Sequence, residues 1–286
     1  MKKIIATALA LTLSYGALAC TSDGKKGIVE DNTLNIPVGV KGKYSVDEVK
    51  FNALITKAEK VYGPIIKELG GNLKIERKWT DGTVNAYAQR QGSTFLVSMF
   101  GGLARHATVT ADGFNLVICH EIGHHIGGAP KKVGTWASNE GQADYWGSMK
   151  CLRRMWQDED NVAVVEKMQI PEAVVTACSA QFSNEVEIAI CKRAAMAGKS
   201  LAFLFQALRN MGSAPDFTTP DNSQVARTND AHPAPQCRMD TYYAGSLCDT
   251  DFSDDVSNTD ENQGVCSLKM GDKLGTRPLC WFKPKA

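Results

Sequence analysis

The chain has 286 residues and a formal net charge of +1, a balance that gives no broad basic surface for binding nucleic acid. Its apolar fraction of 43% is typical of a globular protein that buries a core, and excludes a collagen-like or wholly disordered chain. The length suits one large domain or two small ones.

The N-terminal residues 1–19 are predicted to be a signal peptide. Lys2 and Lys3 precede an apolar run over residues 4–19, which is too short and too rich in Ala to favour a permanent membrane span. The run ends in Ala17-Leu18-Ala19, the small-x-small pattern of a cleavage site. We therefore expect export to the periplasm or outer membrane of a bacterial envelope, with secretion as the alternative.

Cys20 follows the predicted cleavage site and has two interpretations. Either cleavage leaves Cys20 as the first residue, or Cys20 is lipidated as in bacterial lipoproteins. A lipoprotein signal usually has Leu three residues before the cysteine, where this chain has Ala17. The chain has nine cysteines, and setting Cys20 aside leaves an even number that can pair as disulfides in an oxidising compartment. This count favours lipidation of Cys20. A lipid on Cys20 is then the expected contact with a membrane.

The other eight cysteines lack C-x-x-C spacing, which favours disulfides over a structural zinc finger. Their connectivity cannot be deduced from the sequence. Cys119 and Cys151 are expected to remain free and buried. The better candidates for bridging are Cys237, Cys248, Cys266 and Cys280.

Residues 20–44 are largely polar and are predicted to be a tether, with the main domain over residues 45–286. Ser45-Val46-Asp47-Glu48 is a capping-box pattern that opens a helix. Apolar residues then recur at helical spacing until Gly70-Gly71 ends the helix.

A small antiparallel meander is predicted after this helix. Alternating residues from Leu73 to Trp79 form the first strand, and Asp81-Gly82 is a strong hairpin signal. Residues 84–89 then pair back, and Gln91-Gly92 turns the chain into a third strand over residues 94–100.

Helices dominate the rest of the chain. Thr110 is predicted to cap a helix over residues 111–126, and Ser138 or Asn139 to cap another that ends near Trp156. A mainly helical insertion over about 157–212 and a Cys-containing C-terminal segment over about 232–286 follow. The predicted fold class is α+β, a small antiparallel meander with an edge strand packed on helices.

His120-Glu121-Ile122-Gly123-His124 is an H-E-x-x-H motif on the predicted helix. Residues four apart share a helix face, so His120 and His124 can bind one Zn²⁺. Glu121 lies beside the first ligand, where a carboxylate can reach an activated water. The alternative is a chance match on a helix whose histidines are packed or solvated.

The third ligand decides the class of site. Gly127 fits the metzincin pattern H-E-x-x-H-x-x-G-x-x-H, but Pro130 stands where that pattern needs its last histidine. Glu140, at the start of the next helix, is the better candidate. Asp144 lies one helical turn later and can accept a hydrogen bond from the far nitrogen of a ligating histidine. The alternative is an ordinary acidic helix face.

Peptide hydrolysis makes two further demands. An extended substrate can add to an exposed edge strand, for which Asn85, Ala86 and Tyr87 are candidates, or these residues form a plain structural hairpin. An oxyanion needs a donor, for which His232 is the candidate. The alternative for His232 is a surface loop position.

Taken in order, these motifs resemble the gluzincin zinc metallopeptidases of the HtpX and CAAX-prenyl-protease type. The pieces that carry the resemblance are Asn85-Ala86-Tyr87-Ala88, Gly101-Gly102-Leu103, His120 to His124, Glu140 to Asp144, and His232-Pro233 with Arg238. They cover roughly residues 45–150 and 232–240. Many relatives are integral membrane proteins, and residues 145–231 have no counterpart in the pattern.

The resemblance implies a minigluzincin-like fold and one Zn²⁺, bound by the two motif histidines and Glu140, with Glu121 as general base. It also implies that Arg238 pairs with Asp144, and that His232 lies near the metal as a transition-state stabiliser or a switch that caps the site. The expected function is a zinc-dependent endopeptidase of the cell envelope, acting on a protein or peptide. The alternative is a catalytically silent or gated zinc-binding envelope protein with a chaperone-like or peptide-binding role.

Overall fold

The computed structural model describes residues 27–40, 42, 44 and 46–285. The predictions made for the signal peptide, for Cys20 and for Ser45 lie outside these residues. The described chain is α+β, a small mixed sheet packed against helices and followed by a mainly helical part. Within these residues, none of the helices has the length and apolar character needed to cross a membrane.

The first helix, α1, spans Glu48–Glu68. Its cap is Asp47, whose Oδ1 accepts a hydrogen bond from the Lys50 backbone N–H at 2.8 Å. The structure thus assigns to Asp47 the capping role that the sequence pattern gave to Ser45, and the helix begins at Glu48. One face of α1 is buried against the core through Phe51, Leu54, Ile55, Ala58, Tyr62 and Ile66.

The sheet has three strands, β1 (Asn72–Lys78), β2 (Ala86–Gln91) and β3 (Thr94–Phe100), in the order β1-β3-β2. β2 and β3 form the expected antiparallel hairpin around Gly92, which has a φ of +58°. The predicted meander is wrong in its other pairing, because β1 pairs in parallel with the central strand β3.

The loop after β1 explains this difference. Asp81 accepts hydrogen bonds from the backbone and the hydroxyl of Thr83, which closes a local turn. Its carbonyl accepts from the Gly102 N–H at the start of α2 (Gly101–Arg105). Because these bonds fasten the loop to α2, the chain crosses the end of β3 instead of reversing, and β2 lies on the far side of β3.

Residues 27–36 are not the free tether that the composition of residues 20–44 predicts. The Ile28 N–H donates to the Ala86 carbonyl at 3.0 Å, and the Ile36 N–H donates to the Gly82 carbonyl at 2.8 Å. Ile28 and Val29 are buried in the main hydrophobic core. Their apolar side chains outweigh the polar composition around them, so this stretch packs along the sheet.

The helix α3 (Ala111–Ile126) crosses the middle of the core, capped by Thr110 as predicted. Asn139 caps the next helical stretch, whose predicted end at Trp156 is also confirmed. That stretch comprises α4 (Glu140–Trp146), a π-helical segment (Gly147–Cys151) and α5 (Leu152–Trp156).

The remaining helices are α6 (Asn161–Val165), α7 (Glu172–Gln181), α8 (Glu185–Leu208) and α9 (Pro235–Leu247). α8 is one continuous helix over most of the second half of the predicted helical insertion. α9 was not predicted, because residues 213–236 are rich in Pro, Asp and Asn and favour a loop. Pro235 instead lies at the start of the helix, where its missing N–H costs nothing.

Four disulfides link Cys119 to Cys151, Cys178 to Cys191, Cys237 to Cys280, and Cys248 to Cys266. The expectation that the first two cysteines remain free is wrong. α3 packs beside the π-helical segment, which brings the two Cα atoms to 5.6 Å, within the range that a disulfide spans. The disulfides are compatible with an exported protein.

Replacing both Cys119 and Cys151 by Ala is expected to lower the free energy of unfolding by about 3–4 kcal/mol, because the unfolded chain regains the entropy of a long loop. Urea unfolding followed by circular dichroism measures the change. The control is the double Ala variant of Cys178 and Cys191, a pair that is equally buried but closes a shorter loop. A larger loss in the control would contradict the loop-entropy argument.

Candidate metal centre

Two neighbouring helices bring three potential ligands together. His120 and His124 lie on one face of α3, and Glu140 is the first residue of α4. One ligand atom from each lies within 4.8 Å of the others, and the three side chains are at most 1% exposed. The chain therefore has a buried cluster of two imidazoles and one carboxylate.

The loop between α3 and α4 sets this geometry. The Ser138 N–H donates to the His124 carbonyl at 2.9 Å, and the Gln142 side chain donates to the Gly127 carbonyl at 2.8 Å. A Cβ on Gly123 would lie 3.1 Å from the Ala143 carbonyl oxygen. This close helix contact, which suits a residue without a side chain, brings Glu140 beside the last turn of α3.

Both imidazoles are oriented through their Nδ1 atoms. His120 Nδ1 lies 2.7 Å from Asp144 Oδ1, and His124 Nδ1 lies 2.8 Å from the Ser138 carbonyl oxygen. When Nδ1–H donates in these bonds, the Nε2 lone pair of each neutral ring is left for a metal. The two Nε2 atoms lie 3.3 Å and 3.7 Å from Glu140 Oε2.

Asp144 is held by two side chains from α9. Arg238 donates to both carboxylate oxygens at 2.7 Å and 2.8 Å, and the Tyr242 hydroxyl donates to Oδ1 at 2.6 Å. Burial alone would raise the pKa of Asp144, but Arg238 and His120 outweigh it and bring that pKa down to about 2. Asp144 is therefore an ionised anchor for His120.

Lys132 is a partner of the site that sequence reasoning missed. It is 2% exposed, and its Nζ donates to Glu140 Oε1 at 2.8 Å. Burial opposes ionisation of Glu140, but His232 and Lys132 hold the pKa of that carboxyl well below its ordinary value. Lys132 thus takes one oxygen of Glu140 and leaves Oε2 facing the two histidines.

Glu121 and His232 complete the surroundings of the cluster. Glu121 is fully buried, and burial raises its pKa to about 8. His232 Nε2 lies 3.0 Å from Glu140 Oε2, on the loop before α9. The structure therefore brings His232 to the same carboxylate that faces His120 and His124.

The donor set fits a divalent metal ion. Within the described residues, several buried polar atoms around the cluster have no hydrogen-bond partner: His120 Nε2, both Glu121 oxygens, Glu140 Oε2 and both ring nitrogens of His232. Each such atom costs about 1–3 kcal/mol unless a ligand satisfies it. Two imidazole nitrogens and a carboxylate oxygen are the three protein ligands of many zinc sites, which keep the fourth position open.

The buried charges support the same conclusion. Three buried carboxylates at this site, Glu121, Glu140 and Asp144, face the two buried cations Lys132 and Arg238. An additional positive charge, from a metal ion or from protons, is needed for balance. Two other groups of described residues have ligand atoms close enough to hold a metal ion, but each includes a cysteine that is already in a disulfide.

The candidate substrate strand lies on β2 and the residue before it. The Asn85 side chain bonds to both backbone groups of Val29, with its oxygen accepting at 3.3 Å and its nitrogen donating at 3.2 Å. Ala86 is buried and accepts from Ile28, whereas the Tyr87 ring packs edge-on against Phe100. In this structure the edge is therefore in contact with residues 27–29.

Comparison with known proteins gives no match to a family model, a curated protein or a solved structure. The resemblance to the gluzincins thus depends on the motifs of this chain, and membership of that family stays a prediction.

Proposed function

We propose that this protein is a zinc-dependent endopeptidase of the bacterial cell envelope, with a minigluzincin-like arrangement of sheet and helices. The observation that carries the proposal is the buried cluster of His120, His124 and Glu140, with the unpartnered carboxylate of Glu121 beside it. A peptidase of this class needs a metal shell of three protein ligands and a nearby base, and all four groups are present.

When bound, zinc would supply Lewis-acid chemistry that makes a water more acidic and polarises a peptide carbonyl. The role of Glu121 is to accept the proton of the attacking water and to pass it to the leaving nitrogen. A cation at the ligand cluster favours the ionised form of Glu121, the form that a base requires. Asp144 and the Ser138 carbonyl keep the two imidazoles oriented throughout.

Two further groups suit a peptide substrate. His232 can donate a hydrogen bond to the oxyanion, since its ring lies beside the metal ligand Glu140. The Asn85–Tyr87 edge can align an extended peptide by backbone hydrogen bonds, as in β-strand addition. We expect the substrate to be a protein or peptide in the envelope, reached after export and, if Cys20 is lipidated, from a membrane anchor.

A second candidate function is a gated or silent zinc-binding envelope protein with a chaperone-like or peptide-binding role. One observation favours it, the 3.0 Å separation between His232 Nε2 and Glu140 Oε2 in a fully buried centre. A small movement would let His232 act as a fourth ligand and leave no position for water. X-ray absorption of the zinc-loaded protein and of a His232→Ala variant, which counts imidazole ligands, separates the two functions.

The purified mature protein is expected to contain about one zinc per chain and to lose it in a Glu140→Gln variant, since an amide oxygen is a poor substitute for an anionic ligand. Elemental analysis measures the zinc, and hydrolysis of a fluorogenic peptide library should stop with a chelator and return with added zinc. Glu261→Gln, a buried acid that pairs with Lys285 and is not one of the clustered residues, is the control and should keep its zinc. Zinc-free protein from a chelator-free preparation would contradict the proposal.

A further inference from the structure

Residues 27–36, here named the N-terminal strap, run antiparallel to residues 82–86. The strap is joined to this segment at one end by Ile28, which donates to Ala86, and at the other by Ile36, which donates to Gly82. Between them, Asn35 forms an antiparallel bridge with Thr83. An added β-strand could form the same bond at Ala86, so the Ile28 end of the strap lies where a peptide would join the sheet.

The strap uses the polar groups that the proposed function gives to the substrate. The Ala86 carbonyl accepts from Ile28, and the Asn85 side-chain amide bonds to both the N–H and the carbonyl of Val29. Ile28 and Val29 are 0% and 4% exposed, so the position that receives them is an apolar one. These contacts are those expected of an extended peptide with aliphatic side chains.

The strap also contacts the residues that support the metal centre. The Ile28 carbonyl accepts from Arg238 Nη1 at 2.6 Å, and Arg238 in turn holds Asp144, the anchor of His120. Strap residues and His232 line a common cavity of about 70 Å³. The strap therefore borders a cavity that reaches His232, beside the candidate centre.

The two halves of the strap are held differently. Ile36 is fastened at its carbonyl by the Arg105 guanidinium, which donates through Nε and Nη2. Farther toward the N-terminus, Glu30 forms an ion pair with Arg209 whose side chains are 42% and 28% exposed, and such pairs add little to stability. The half near Ile28 is held by bonds to Asn85, Ala86 and Arg238, so a peptide that makes the same bonds can replace it while the half near Ile36 stays attached.

We propose that the N-terminal strap is an intramolecular pseudo-substrate that occupies the peptide-binding edge and closes the centre until an extended peptide displaces it. The inference rests on the proposed function of the same site. The displacing peptide is one with β-branched or other aliphatic residues at the positions of Ile28 and Val29. Strap opening then controls both access to the centre and apparent affinity for peptide.

Gly27 offers a way to open the strap by a single change. It has a φ of +78°, and a Cβ there would lie 2.1 Å from Asn85 Oδ1 and 2.4 Å from the Ala86 carbonyl oxygen. A Gly27→Val variant therefore displaces the strap from the edge. Gly39→Val is the matched control, since Gly39 also has a positive φ, +96°, but has open space around its Cβ position.

The test uses zinc-loaded full-length protein in a Glu121→Gln background and a fluorescent synthetic peptide with the sequence of residues 27–36. Fluorescence anisotropy should show the peptide binding to Gly27→Val about tenfold more tightly, or better, than to the parent or Gly39→Val, because apparent affinity scales with the open fraction. Equal binding to all three proteins would overturn the proposal.

A second measurement covers the case in which Gly27→Val does not fold. A protease site placed at the exposed residues 38–40 allows the strap to be cut after the protein has folded. The cut strap should then exchange with excess fluorescent peptide. A permanent structural strand would instead stay bound and admit no peptide, which would overturn the proposal.

Failure of the strap and failure of the peptidase are distinguishable. Peptide binding in the Glu121→Gln background requires no hydrolysis. Tighter peptide binding to Gly27→Val, together with no cleavage by any protein that retains Glu121, would support the strap proposal and refute the peptidase proposal. With Glu121 intact, Gly27→Val should cleave a fluorogenic peptide about tenfold faster at low substrate. If the parent and Gly27→Val cleave and bind the peptide equally well, the peptidase proposal stands and the strap proposal is refuted.

Discussion

Replacing Glu121 by Gln is expected to lower kcat for peptide hydrolysis by about 10²–10⁴ while the protein keeps its zinc. Gln has nearly the same shape as Glu but cannot accept the proton of an attacking water. Glu121 is not one of the three clustered residues, so the proposed metal shell of His120, His124 and Glu140 stays intact. Steady-state kinetics beside elemental analysis gives both results from one preparation.

A Glu121→Asp variant is the matched comparison, because it keeps a carboxylate but withdraws it by one methylene. We expect it to retain more activity than Glu121→Gln, because its loss of activity comes only from the changed position of the carboxylate. A Glu121→Gln protein that cleaves as fast as the parent would show that another group is the base. Loss of zinc from that variant would show that Glu121 belongs to the ligand shell.

Glu121→Gln is expected to fold, since a neutral Gln side chain suits this buried position. Burial raises the pKa of Glu121 from 4.5 to about 8, so the folded zinc-free protein binds this proton more tightly than the unfolded chain. Between about pH 4.5 and about pH 8, Glu121 is ionised in the unfolded chain but protonated in the fold, so its contribution to stability falls as pH rises. Relative to Glu121→Gln, the zinc-free parent should lose stability over this range, as measured by urea unfolding.

The helix that carries the motif could be predicted because its information is local. Thr110 supplies the cap, and His120 and His124 are four residues apart on one face. Asn139 marks the start of the next helix in the same way, which placed Glu140 at its first turn. Short-range hydrogen bonds and helical periodicity determine these features, so one sequence is enough to recognise them.

Contacts between distant segments could not be predicted in the same way. Lys132 lies in a loop with no pattern that marks a buried cation, yet it bonds to Glu140. Tyr242 reaches Asp144 only because α9 exists, and the Pro-rich sequence before that helix favours a loop. The parallel pairing of β1 with β3 depends on how the Asp81 loop is fastened to α2, which no periodicity records.

Asp144 connects several of these distant segments. It bonds to His120 on α3, and it accepts from Arg238 and Tyr242 on α9. Arg238 also donates to Ile28 of the strap. One buried carboxylate thus connects α3 and α9, and Arg238 extends the connection to the strap.

An Arg238→Met variant is expected to lower the free energy of unfolding by about 3–5 kcal/mol, because it leaves the buried Asp144 carboxylate without its cation. Arg227→Met, at an exposed position, is the control and should change stability little. Adding Asp144→Asn to Arg238→Met removes the unpaired charge and should restore part of the loss. Urea unfolding of the parent, of the single variants Arg238→Met and Asp144→Asn, and of the double variant measures this coupling. A loss below about 1 kcal/mol in Arg238→Met would mean that the pair does not hold α9 against α3 and α4.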